Sequence, residues 1–248
     1  MTNEPVLQPL IFCYVYINKL YGFMKVTFIS DTHTRHKRLE LPGGDLLIFS
    51  GDFMSSGYNV SEVNDFIEWF KNQPYTYKVC VAGNHDRYCE AYPAYTIKDM
   101  FEKYYDDGVR YLCDEEIEIE GKKIYGTPYQ PYFCGWAFNV KDEEKLVNIY
   151  KNIPENLDIL ITHCPPYGIL DKSHKARPHY GKTGEEPLGS KELLNVIDFM
   201  ENPPKYHCFG HIHGDGGKTE VDGGVTFINA SVCDENYNPV NQIITMDI

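Results

Sequence analysis

Five short stretches of this 248-residue chain carry side chains able to hold a metal ion or move a proton, and each follows an apolar run. They are Asp31-Thr32-His33, Gly51-Asp52, Gly83-Asn84-His85-Asp86, His163 and Gly210-His211-Ile212-His213. Carboxylate, amide oxygen and imidazole together make a mixed O and N donor set. Such a set suits Mn, Fe, Zn or Ni and disfavours Mg alone, because imidazole is a poor ligand for a hard cation. Side chains two apart on extended backbone leave on the same side, so Asp31 and His33 can grip one ion from one strand end. Read singly, each stretch has a plainer explanation: Asp-x-His is a turn acid beside a surface imidazole, and Gly-Asn is common turn chemistry. Their joint order, each behind a strand, is the specific signal. They are expected to converge on Asp52, with its carboxylate shared between two ions.

The elements that must position these groups are legible as apolar runs. Leu46 to Phe49 (LLIF), bounded by Gly44-Asp45 and Ser50-Gly51-Asp52, has the pattern of a strand buried on both faces. Val26 to Ser30, Tyr77 to Ala82, Leu157 to Thr162 and Tyr206 to Phe209 have the same form. Strand ends in α/β proteins carry ligand groups on a rigid base. Val60 to Asn72 places Val63, Phe66, Ile67 and Phe70 on one helical face, with Ser61 as the expected N-cap. Further helices are expected within Ala91–Tyr105 after Pro93, over Lys141–Lys151, and over Gly189–Met200. Val109–Leu112, Glu115–Ile119 and Lys122–Gly126 read as a meander with Gly121 at a turn. Val225–Ile228 and Gln242–Ile248 read as the last two strands. Pro165-Pro166 fixes the exit of the chain after His163. Tyr129 to Trp136 (YQPYFCGW) is an aromatic loop, expected to form a wall or lid. The long loop Tyr167–Gly189, with His174, Lys175, Arg177, His179 and Lys182, is the expected place of substrate contact. Gly181-Lys182-Thr183 is no P-loop, since Ala176 stands where the first glycine belongs and no strand precedes it.

A net charge of -13 and a pI near 5.1 weigh against an extended nucleic-acid surface, which needs clustered Lys and Arg. A small anionic substrate would then need cations held locally. With 42% hydrophobic residues the chain can fill one sizeable core, expected over residues 24–248. Met24-Lys25 running straight into a strand reads as a natural start, so residues 1–23 are expected to be a disordered or upstream-start extension. Leu10 to Ile17 is apolar but short, with Glu4 and no Lys or Arg before it, which speaks against a secretory signal. No run approaches the roughly 18 apolar residues of a membrane span. The eight cysteines form no C-x-x-C pair, and several sit within apolar runs, as expected of reduced, buried thiols in a cytoplasmic protein. Oligomeric state is left open.

The ordered set D-x-H, G-D, G-N-H-D, H and G-H-x-H resembles the calcineurin-like metallophosphoesterases from about Met24 to the C-terminus. Gly210-His211-Ile212-His213 and Asn229-Ala230-Ser231-Val232-Cys233 are similar to the small metallophosphoesterase-domain-containing, brain 239 protein-like branch. The resemblance implies an α/β four-layer sandwich, two mixed β-sheets flanked by helices. It also implies that Asp31, His33 and His213 hold one divalent metal and Asn84, His163 and His211 a second, with Asp52 shared. Two such ions, roughly 3.5 to 4 Å apart, clamp both reacting oxygens and lower the pKa of a bridging water, so hydroxide is available near neutral pH. His85 resembles the proton donor to the leaving alkoxide. The chain departs from the superfamily's protein phosphatases, which continue G-D with x-x-D-R-G, whereas here Phe53-Met54-Ser55-Ser56-Gly57 follows Asp52. The Asp that orients the imidazole and the Arg that grips phosphate are missing there. A phosphodiesterase acting on small esters such as nucleotides is the expected activity, with phosphomonoesters as secondary substrates. A nuclease and a non-catalytic scaffold of the same fold are the alternatives.

Overall fold

The computed structural model describes residues 23–175 and 186–248. The continuous apolar runs become parallel strands covered on both faces, which is why their sequences lack a polar side. In the first sheet β1 (Lys25–Ile29), β2 (Gly44–Ser50), β3 (Tyr75–Val81) and β4 (Val109–Tyr111) run parallel, and β13 (Ile244–Asp247) closes the edge antiparallel to β1. In the second sheet the order is β11 (Lys218–Asp222), β12 (Val225–Asn229), β10 (Tyr206–Phe209), β9 (Ile159–Thr162), β6 (Lys122–Thr127), β5 (Glu115–Ile119). Its four inner strands are parallel and its two edges antiparallel. A small separate pair joins β7 (Gln130–Pro131) to β8 (Asn139–Val140).

Strand alternation sorts these runs into three cores. Leu46 and Ile48 of β2 point into a layer between the sheets with Ile159, Ile161, Cys208 and Ile228. Leu47 and Phe49 point the other way, onto α1 (Val60–Lys71) and α3 (Ala94–Glu102), which contribute Phe66, Phe70, Ile97 and Phe101. The short α2 (Arg87–Ala91) precedes α3. On the far side Leu160 and Phe209 meet Leu146 and Tyr150 of α4 (Glu143–Tyr150) and Leu193 and Ile197 of α5 (Lys191–Asp198). The result is helices, sheet, sheet, helices, four layers as expected. Phe66 stacks on Phe53 with ring centres 4.3 Å apart and is fully buried. Truncating such a side chain typically costs about 3–5 kcal/mol.

Two expectations need correction, and one strand was not expected at all. The cap of α1 is Asn59, whose side chain accepts from the Ser61 N–H, so Ser61 lies inside the first turn. The three strands after α3 are not a meander. β4 pairs with β3 in the first sheet, while β5 and β6 form a hairpin in the second. Short alternating strands carry no mark of which sheet they join. β4 is decided by Tyr111, which stacks on Phe101 of α3 at 5.0 Å. β11 gave no apolar signal because Lys218–Asp222 is exposed along its whole length and is held by backbone pairing to β12 together with the Lys218–Asp215 ion pair. Of the thiols, Cys80, Cys89, Cys164, Cys208 and Cys233 are buried, Cys113 is half-buried and Cys134 is exposed. The extension before residue 23 and Arg177, His179 and Lys182 lie outside the described residues.

Candidate metal centre

Parallel pairing puts the ends of β1, β2 and β3 on one edge, and those of β9 and β10 on the facing edge of the other sheet. Every expected site residue stands just beyond one of these ends or on the turn after β10. The turns are bonded to one another: Asp31 N–H donates to Gly51 O at 2.9 Å, His33 N–H to Asp52 O at 3.0 Å, and Gly210 N–H to His163 O at 3.0 Å. Tight reversal there takes strained backbone. Asp31, His33, Asp52 and His211 all have positive φ, between 43° and 67°. For residues with a Cβ this costs of order 1–3 kcal/mol each and gathers at functional sites. Two motif glycines are needed for close approach. A Cβ on Gly83 would strike Asp52 Oδ1, and one on Gly210 would strike Asp31 Oδ2.

All eight residues come together. His213 Nε2 is 3.3 Å from Asp31 Oδ1 and 3.1 Å from His33 Nε2, which makes one cluster. His163 Nε2 is 3.4 Å from Asp52 Oδ2 and 2.9 Å from Asn84 Oδ1, and His211 Nδ1 is 2.7 Å from the same amide oxygen. That is a second cluster. Asp52 Oδ2 also lies 3.9 Å from His33 Nε2, between the two.

The donor set fits divalent cations. His163 Nδ1–H donates to Ser50 O at 2.8 Å and His213 Nδ1–H to Asp234 O at 2.9 Å. A carbonyl can only accept, so each ring keeps its hydrogen on Nδ1 and turns Nε2 inward, as metal-binding histidines do. Burial pushes His33 down to about 4 and His211 down to about 3, so both rings are neutral at pH 7 with a lone pair to give. Burial alone would lower His163 too, but the Asp52 carboxylate overrides it and lifts it to about 9. Burial works against ionising Asp31 and Asp52, yet His213 and His163 hold them well below the usual carboxylate range. Among the described residues these two buried carboxylates pair only with imidazoles, and no Lys or Arg neutralises them. Buried anions of this kind need a counter-charge. Asp31, His33 and His213 could hold one ion and Asn84, His163 and His211 another, with Asp52 between.

His85 stands at the open side, with Nε2 4.0 Å from Asp52 Oδ2. The missing orienting Asp has a substitute that side-chain motifs cannot reveal: His85 Nδ1–H donates to the backbone carbonyl of Ser55. The ring also lies flat on Trp136, 4.2 Å away at 21°, and Arg87 sits over the Trp136 ring at 4.7 Å. The aromatic loop is thus a wall. Asp86 does not orient His85. It accepts from the N–H groups of Asp52, Met54 and Gly83 at 2.7–2.9 Å and so ties the two turns together. Its place in Gly-Asn-His-Asp was the available signal. Ser231 Oγ donates to Asp31 Oδ2 at 2.8 Å. Tyr237, edge-on to His33 at 4.8 Å, gave no sequence signal. A cavity of about 350 Å³ opens here, lined in part by His33, His85, Trp136 and Tyr237. None of the described residues of the Tyr167–Gly189 loop lines it. His174 pairs instead with Asp215 at 3.4 Å.

The family model for calcineurin-like phosphoesterases matches residues 24–215. Metallophosphoesterase domain-containing protein 1 of Homo sapiens is 39% identical, over 92% of this chain and 72% of that protein. UPF0046 protein T07D4.2 of Caenorhabditis elegans is 35% identical, over 84% of this chain and 56% of that protein. The solved structure of TT1561 from Thermus thermophilus shares the fold, with a TM-score of 0.57 at 15% identity over 91% of this chain and 99% of that one. The chain belongs to the calcineurin-like phosphoesterase family.

Proposed function

We propose that this metal-dependent phosphoesterase is dinuclear and hydrolyses phosphodiester bonds of small substrates such as nucleotides, with monoesters as poorer substrates. The observation that carries the reading is Asp52 lying between two histidine-rich clusters with His85 at the open side. In this reading Asp31, His33 and His213 ligate one ion, Asn84, His163 and His211 the other, and Asp52 both. The mixed N and O donors favour Mn, Fe, Zn or Ni. Bound there, two divalent ions would neutralise the ester's charge and make a hydroxide nucleophile available near neutral pH.

The chain's own residues do the rest. Because Ser55 O only accepts, His85 keeps the Nδ1 hydrogen in either protonation state, and the transferable proton is the one on Nε2. From that atom it passes to the leaving alkoxide, which is unstable as a free anion. Trp136 holds the ring plane while this happens. Small esters are favoured over phosphoproteins because the cavity is about 350 Å³ and Ser55-Ser56 replaces the Asp-Arg of the protein phosphatases.

The test is a screen of Mn-loaded protein against bis-p-nitrophenyl phosphate, p-nitrophenyl phosphate, cyclic nucleotides, dinucleotides and single-stranded DNA. Hydrolysis of the diesters ahead of the monoester is expected. No turnover of any ester by fully loaded protein would overturn the enzyme reading, and preference for long single strands would replace it with a nuclease.

A further inference from the structure

We infer that Arg35 is the anion anchor of this site, its guanidinium binding the non-bridging oxygens of a phosphoryl group in the cavity beside His33 and His85. The inference rests on the phosphoesterase reading above and names the residue that recognises the substrate's charge. Arg35 lines the cavity with His33, Ser55, His85, Trp136 and Tyr237. Its backbone is pinned, with its N–H donating to Thr32 O at 2.7 Å and its carbonyl accepting from Arg38 N–H at 2.9 Å. Its side chain is steered as well. Nη1 donates to His33 O at 3.0 Å, and the guanidinium carbon stands 5.9 Å from the centre of the Tyr237 ring.

Among the described residues no carboxylate forms a salt bridge with the Arg35 guanidinium, although the chain carries a net charge of -13. Of the nearby cations, Lys37 is paired with Asp65, while Arg87, also without a carboxylate partner among the described residues, lies against Trp136 and has donors on two nitrogens engaged, by Gly135 O and the Tyr58 hydroxyl. Arg35 is half-buried and has spent one of its five N–H donors on His33 O. A planar fork with donors to spare matches two oxygens of a phosphoryl group. The loop after β1 thereby supplies the grip that Ser55-Ser56 cannot.

Phosphate binding to the metal-loaded protein tests this without any turnover. Inorganic phosphate is titrated calorimetrically into wild type, Arg35→Ala, Arg35→Gln, Arg35→Lys and Lys37→Ala, with metal content measured for each. Losing a hydrogen-bonded charge partner should weaken phosphate about 10- to 100-fold in the Ala and Gln variants. Arg35→Lys should lose less, Lys37→Ala should match wild type, and metal content should not change. With bis-p-nitrophenyl phosphate, Arg35→Gln should raise KM more than it lowers kcat. Phosphate affinity and KM unchanged in both the Ala and Gln variants would overturn the inference while leaving the phosphoesterase reading standing. An equal loss in Lys37→Ala would overturn it too, by showing a general field effect. Arg35-dependent phosphate binding with no hydrolysis of any ester would support the anchor and defeat the enzyme reading instead.

Discussion

His207 and His211 are four residues apart, one within β10 and one just past its end. Burial pushes both rings down to about 3. Their surroundings are opposite. His207 Nε2–H donates to Thr162 Oγ at 2.8 Å, which itself donates to Cys164 O, while its Nδ1 has no hydrogen-bond partner among the described residues. The ring lies between Phe209 and Phe227. His211 has its Nδ1 on Asn84 Oδ1 and His163 in ring contact, and its N–H donates to Asp31. A perturbed imidazole is therefore not the mark of the site. The mark is convergence of several donors from different strand ends, and the three residues between these histidines carry the chain from a strand interior to such an end.

Loss of the Asp52 carboxylate should separate the two regions most. Asp52→Asn should bring bis-p-nitrophenyl phosphate hydrolysis to background, whereas His207→Asn should retain activity and metal. Full activity in Asp52→Asn, measured as initial rates at saturating metal, would break it. Next, His85→Ala should slow esters with poor leaving groups by about 10²- to 10⁴-fold and p-nitrophenyl esters less. Equal losses across a leaving-group series would mean that His85 donates no proton.

Trp136→Ala removes one ring contact from His85 and should cost about 3- to 10-fold on the same poor leaving groups, with Trp136→Phe recovering part of it. A loss of bound metal in Trp136→Ala would instead tie the aromatic wall to the ligand clusters. The smallest effect concerns His207 alone. Its folded pKa, about 3, lies below the unfolded value of about 6.5, so in that window only the unfolded chain takes the proton. Its stabilising contribution is thus complete above about pH 6.5 and declines as pH falls toward 3. Urea titrations at several pH values should show a shallower acid slope for His207→Asn, and identical slopes would mean the ring titrates normally.

Apolar runs such as Leu46–Phe49 announced their strands because burial on both faces leaves no choice of residue, and the motif residues announced the strand ends they follow. What stayed hidden was whatever works through backbone. The Ser55 carbonyl that orients His85, and the Ser50 and Asp234 carbonyls that set the tautomers of His163 and His213, leave no side-chain trace. Sheet membership was hidden for a related reason, since β4 and the β5–β6 hairpin have similar patterns and are separated only by long-range packing. Arg35 and Tyr237 meet across the cavity from opposite ends of the chain, and no spacing rule could have joined them.

If two ions share Asp52, as proposed, they can be counted. Elemental analysis of protein purified without chelator should find about two transition-metal equivalents per chain, with fewer in Asp52→Asn. No bound metal in the wild type, even after Mn loading, would show that these clusters hold no ions.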